Sequence, residues 1–136
     1  MEISVRKKKE YILESDYKYQ DLSERIIAAA FKVHGELGQD FLEKVYKNSL
    51  AIELGENGIK YELEKPLVVK YHNKVAGEYF ADMIVENNII VEIKAVSTLS
   101  DTPEVQLVNY LKATGINVGL LLNFGKSVEI RRKVFG

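Results

Sequence analysis

The chain has 136 residues, no cysteine, and 19 basic against 20 acidic side chains, for a formal net charge of −1. Its length suits one domain that buries roughly two-thirds of its unfolded surface, and the lack of cysteine excludes disulfides, thiol nucleophiles and cysteine zinc sites. The charge balance excludes a general electrostatic pull on nucleic acid, so any such contact needs a local basic patch.

Residues 1–19 are mixed in charge with no sustained period, and read as an N-terminal tail preceding a domain over 20–136. The basic run Arg6-Lys7-Lys8-Lys9 can touch phosphate, but a solvated segment accounts for it as well. There is no apolar signal core there, and no apolar run elsewhere approaches membrane-spanning length. The expectation is a soluble, cytoplasmic protein with no membrane partner.

A helix is expected from Asp21, where Asp21 and Glu24 have capping-box spacing. Ile26, Ile27, Ala30, Phe31 and His34 follow it at the 3/4 spacing of a buried stripe. Gly35 and Gly38 bracket its end, and His34 near that end reads as structural. A second helix is expected from Asp40 to about Asn57, with Gly58 as its stop. Glu43 falls in its first turn, three residues after Asp40, which is again capping-box spacing.

Residues 60–72 read as a strand, and Pro66 argues for an edge or a bulge. His72-Asn73-Lys74 turns the chain into a strand carrying Asp82. The apolar runs 83–85 and 89–91 then flank Glu86-Asn87-Asn88, a hairpin pattern. Glu92 and Lys94 are two apart and project from one face. Ionised groups on an otherwise apolar strand are costly unless partnered, and a cross-strand salt bridge on a wet face is the plain alternative. For Asp82 to share that face it must lie opposite an even-numbered residue. A two-residue turn puts it opposite Ile93; a three-residue loop with Asn88 in the left-handed region, or an equivalent bulge, puts it opposite Glu92.

After Ser100-Asp101-Thr102-Pro103 a helical pattern runs to Gly115, with Asp101 or Thr102 as cap and Pro103 in the first turn. Gln106 and Tyr110, four apart, share one face of it. Residues 118–122 form a continuous apolar run typical of a strand buried on both sides, so strand, helix and strand imply a parallel crossover. A last strand over 128–134 carries Arg131, Arg132 and Lys133, which suit phosphate contacts or an ordinary wet edge.

A hairpin bearing D…ExK that feeds a helix bearing QxxxY resembles the core of the PD-(D/E)XK nuclease superfamily, and Gln106-Leu-Val-Asn-Tyr110 is similar to the motif of its RecB-type branch. Gly38-Gln-Asp-Phe-Leu-Glu43-Lys-Val-Tyr46 resembles the signature of GxxExxY proteins, a nuclease-like branch of the same superfamily; that likeness runs from about residue 21 to the C-terminus. It implies a single-domain, restriction-endonuclease-like α/β fold: a mixed sheet, two N-terminal helices and one crossover helix. It also implies a catalytic set of Asp82, Glu92, Lys94, Gln106, Glu43 and Tyr110 in a metal-dependent phosphodiesterase. Asp82 follows Ala81 rather than the eponymous proline, which is not a ligand.

Asp82, Glu92 and Glu43 offer hard oxygen ligands, suited to Mg²⁺ or Mn²⁺. Lys94 can orient the attacking water and stabilise charge on the phosphate; Gln106 can hold water or a phosphate oxygen, and Tyr110 can position the backbone. The implied partner is nucleic acid, DNA before RNA, and a homodimer is compatible with the sequence. The competing class is a catalytically silent module that keeps the fold to bind nucleic acid or protein. Gly119 to Ser127 misses the P-loop pattern by one residue between its glycines, there is no G-x-S-x-G elbow, and two distant histidines do not make a triad or zinc site.

Overall fold

The computed structural model describes the backbone of residues 2–136 and side chains from Tyr19 onward. The elements are α1 (Glu2–Leu37), α2 (Glu43–Glu56), β1 (Tyr61–Tyr71), β2 (Lys74–Val85), β3 (Ile89–Lys94), α3 (Thr102–Thr114), β4 (Val118–Phe124) and β5 (Val128–Val134). They build a five-stranded sheet in the order β1-β2-β3-β4-β5. Only β3 and β4 are parallel, joined through α3. The other neighbours are antiparallel, so the α/β mixed sheet expected from the sequence is present. Pro66 sits on the edge strand β1, where its missing N–H removes no bond from the sheet interior.

The sheet divides two cores. On one face Met83, Val85, Ile89, Val91, Ile93, Val118, Leu120 and Leu122 pack with Ile26, Ala30, Val33, Leu50 and Leu54 of α1 and α2. On the other, Leu67, Ile84, Ile90 and Leu121 pack with Leu107, Tyr110 and Leu111 of α3. β4 is buried along its whole length, as its unbroken apolar run requires. Gly119 lies beneath α3, where a Cβ would meet Leu107 Cδ1 at 2.7 Å.

Three local expectations need correction. Asp21 lies inside α1, which starts at Glu2, so the Asp21–Glu24 capping box does not form. Phe31, placed in the buried stripe by its spacing, is half exposed, while Val33 takes the inward position. The N-cap of α2 is Leu42, and Asp40 stands outside the helix with φ 77. Glu43 is therefore the first helical residue, not the third, and the Asp40–Glu43 capping box is absent. The basic run at 6–9 lies outside the described side chains.

His34 has the structural role expected of it. Its Nε2–H donates to the Gly125 carbonyl at 2.9 Å and its ring stacks on Phe124. His72 is exposed in the β1–β2 turn, where it and Asn73 both take positive φ, the pattern of a type I′ hairpin.

Candidate active site

The β2–β3 hairpin decides the site. Val85 pairs with Ile89, Ile84 with Ile90 and Met83 with Val91, so the loop is the three residues 86–88. Continuing that register places Asp82 opposite Glu92. The left-handed residues are Glu86 (φ 52) and Asn87 (φ 57), not Asn88 as expected. Glu86 is held there because its backbone N–H donates to Lys60 O and its carboxylate accepts from Lys60 N–H.

The backbone ladder between β2 and β3 stops at Met83, and side chains continue it. Asp82 Oδ2 accepts the Ile93 N–H at 2.8 Å, and Glu92 Oε1 accepts the Asp82 N–H at 3.2 Å. Alternation also breaks here. Ala81 packs on the α3 side and Met83 on the α1/α2 side, although strict period-two geometry would put both on one face. Across the ribbon, Leu63↔Met83 and Lys65↔Ala81 are paired but Glu64, between them, is not; it takes φ 50. A left-handed glutamate within a strand is strained. It lies across the ribbon from Asp82, whose carboxylate reaches the β3 backbone.

Electrostatics follow from this arrangement. The Glu92 carboxyl is pushed up to about 9, first by burial and then by the Asp82 carboxylate and a hydrogen bond to it. Two carboxyl groups this close cannot both ionise cheaply. Glu43 is raised as well, by burial first; Lys94 and Lys47 oppose the shift and Asp82 adds to it. Lys94 therefore lies within electrostatic reach of both Glu43 and Glu92. On α3, Gln106 Nε2 donates to the Tyr110 hydroxyl at 2.7 Å. Burial raises the Tyr110 phenol, and Glu92 and Asp82 raise it further, so the hydroxyl lies within electrostatic reach of the carboxylate pair.

Several contributors escaped the sequence reading. Lys47, one turn after Glu43, bonds Glu64 at 2.6 Å and is raised by that bond, with Asp82 and Glu43 adding to it. Its i,i+4 spacing from Glu43 was the available signal. Tyr46, fully buried against Phe124 at 4.6 Å, donates to Gly38 O at 2.6 Å and accepts the Phe41 N–H at 3.3 Å. It thereby fastens the loop that delivers Glu43. Asn123, the lone amide in β4, bonds both the N–H and the carbonyl of Val96 at 2.9 Å. It extends the β3–β4 ladder past Lys94 and fixes the exit of β3. A polar residue within an apolar run is a legible signal.

The basic residues of β5 are engaged elsewhere. Arg131 faces Asp101, Glu104 and Glu129, and Lys133 bonds Glu104 at 2.7 Å. Arg132 is lowered by burial and reaches Ser23 at 3.4 Å.

A family model of the PD-(D/E)XK nuclease superfamily matches residues 20–133. The chain belongs to that superfamily. Among solved structures, SSO0001 is similar at a TM-score of 0.54 with 20% identity. The match covers 91% of this chain and 61% of that one, so this chain spans about three-fifths of its length; the likeness is one of fold. No curated protein matches the chain. Nucleases of this superfamily typically use divalent metals, and the donor set fits one in kind: hard carboxylate oxygens crowded enough to push Glu92 up to about 9. Among the described residues, however, no three Asp, Glu or His side chains converge closely enough to enclose an ion. Asp82 and Glu92 are joined, and Glu43 stands off. Among the described residues no helix is long and apolar enough to cross a membrane.

Proposed function

We propose that this protein is a nuclease of the GxxExxY type that hydrolyses nucleic-acid phosphodiester bonds with Mg²⁺ or Mn²⁺. The observation that carries this reading is the Asp82–Glu92 pair, partly buried at an interrupted ladder with Glu92 pushed up to about 9, within electrostatic reach of Lys94. Such a pair opposes folding wherever both carboxyls are ionised, because two like charges in a poorly solvated site repel. A hard cation relieves it. Asp82 and Glu92 would hold the ion, with Glu43 drawn in or bound through water; when bound, the ion supplies Lewis acidity and lowers the pKa of a coordinated water.

The chain's own residues divide the remaining work. Lys94 offers an ammonium to the phosphate as charge builds on it, and orients the attacking water. Gln106 already spends one amide hydrogen on Tyr110, which leaves its other donor and its carbonyl for a phosphate oxygen or the water. Tyr110, the partner in that RecB-type QxxxY pair, holds the amide in place. Lys47 offsets the carboxylates until the ion arrives.

The test is cleavage of end-labelled and circular DNAs and RNAs with Mg²⁺, Mn²⁺ or EDTA. Divalent-dependent cleavage is expected, with Asp82→Asn and Lys94→Ala each reducing it by about a hundredfold or more. Full activity in both folded variants would overturn the assignment. Metal binding without cleavage of any substrate would favour the silent binding module.

A further inference from the structure

On the α3 side of the sheet an open cavity of about 460 Å³ lies between the β1–β2 ribbon and α3, lined by Val69, Tyr79, Gln106, Asn109, Tyr110 and Lys112. It shares Gln106 and Tyr110 with the candidate active site, so it begins where the proposed phosphate contact ends. Its volume falls within the roughly 300–1,000 Å³ of small-molecule sites.

The wall on the strand side is an aromatic ring that is exposed and yet fixed. Tyr79 is 44% exposed. Its ring lies across Gly77, where a Cβ would come within 3.2 Å of Cε2, and its centroid is 5.8 Å from that of Tyr110 at 49°. A β-bulge between Val69 and Lys70, opposite this stretch of β2, shapes the same wall. The other side carries two carboxamides, Gln106 and Asn109, each able to donate and accept. Lys112 lines the rim, with its ammonium 5.6 Å from the Phe135 ring centre. None of the lining residues is acidic.

We infer that this cavity is a subsite for one unpaired nucleobase of the strand being cleaved, stacked on Tyr79 and met at its edge by Asn109 and Gln106. The inference rests on the nuclease reading, since it is the phosphodiester at Glu92 and Lys94 that brings a nucleoside to Gln106. A planar, neutral heterocycle with mixed donors and acceptors matches an aromatic wall and two amides. A base within a duplex does not, because its faces are stacked and its edge is paired. The substrate class is therefore a strand with an accessible unpaired base: a single strand, a loop or a frayed end.

The experiment measures equilibrium binding of a short single strand carrying 2-aminopurine, and of its blunt duplex, with Ca²⁺ in place of Mg²⁺. The proteins are wild type, Tyr79→Phe and Tyr79→Ala. Stacking should quench the aminopurine in wild type and Tyr79→Phe. Tyr79→Ala should lose the quench and about tenfold or more in single-strand affinity, with duplex affinity unchanged. Equal affinity and quench in wild type and Tyr79→Ala, equal losses for both nucleic acids, or no binding at all would overturn the subsite. Cleavage of the same strand with Mg²⁺ separates the two readings. Tyr79-dependent binding without cleavage of this strand or of any DNA or RNA in the panel above keeps the base subsite and sinks the nuclease; cleavage with Tyr79-independent binding does the reverse.

Discussion

Replacing Glu92 by Gln keeps the side chain's size and removes its ability to ionise. In the metal-free protein the Glu92 carboxyl sits at about 9 instead of 4.5, through burial first and the neighbouring Asp82 second. Between those values the folded chain keeps a proton that the unfolded chain has released. Its stabilising contribution is complete below about pH 4.5 and is lost progressively as pH rises toward 9. The slope is at most about 1.4 kcal/mol per pH unit, a ceiling of about 3 kcal/mol by pH 7. Water entering the open cleft screens the charge, and about 1–2 kcal/mol is expected. In a domain of this size that is roughly 3–8 °C in Tm. Thermal melts in EDTA from about pH 5 to 8.5 should show wild type falling steadily against Glu92→Gln, with the variant melting higher above neutrality. Excess Mg²⁺ should rescue wild type, more so at higher pH because binding expels the proton, and should do little for the variant. Parallel pH curves for the two proteins in EDTA would refute the reasoning.

Other substitutions test the supports of the site. With Leu42 at the N-cap, Glu43→Gln removes no cap and relieves a desolvated charge, so the EDTA melt should hold or rise while the Mg²⁺-induced increase and cleavage shrink; unaltered metal response would remove Glu43 from the site. Tyr46→Phe strands the Gly38 carbonyl and should cost about 1–3 kcal/mol in urea denaturation, with slower cleavage at saturating metal as the loop before Glu43 loosens. Asn123→Ala frees both backbone groups of Val96; because Val96 is 41% exposed water replaces part of the loss, and about 1–3 kcal/mol is expected from denaturation midpoints. Gly119→Ala drives a methyl into fully buried Leu107 and should cost about 1–3 kcal/mol, and an unchanged midpoint would show that α3 yields freely there.

The sequence by itself determined which strands and helices form wherever pattern and punctuation agree. Residues 118–122 read as a strand buried on both faces and are one, Gly115 and Gly58 suited helix ends and take the left-handed region, and Pro66 called for an edge or a bulge and lies on the edge strand. The parity of Asp82 against Glu92 and Lys94 called for a three-residue hairpin loop or an equivalent bulge, and the register shows the loop.

Tertiary structure decided what local pattern leaves degenerate. Capping-box spacing at Asp21 and Asp40 is indistinguishable on paper from helix interior and from loop, and packing chose the interior for one and a left-handed loop position for the other. Asn88 suited the left-handed region by propensity, yet Glu86 and Asn87 took it, since Lys60, far away in sequence, supplies partners to Glu86. The irregular stretch at Glu64 and Asp82 breaks the alternation on which strand reading depends. Lys47 joins the carboxylates, and Tyr79 lines the neighbouring cavity, only because α2 and α3 dock on opposite faces of the sheet. Spacing along a chain encodes which side chains share an element's face; which faces meet depends on burial summed over the whole domain, and no single segment contains that sum.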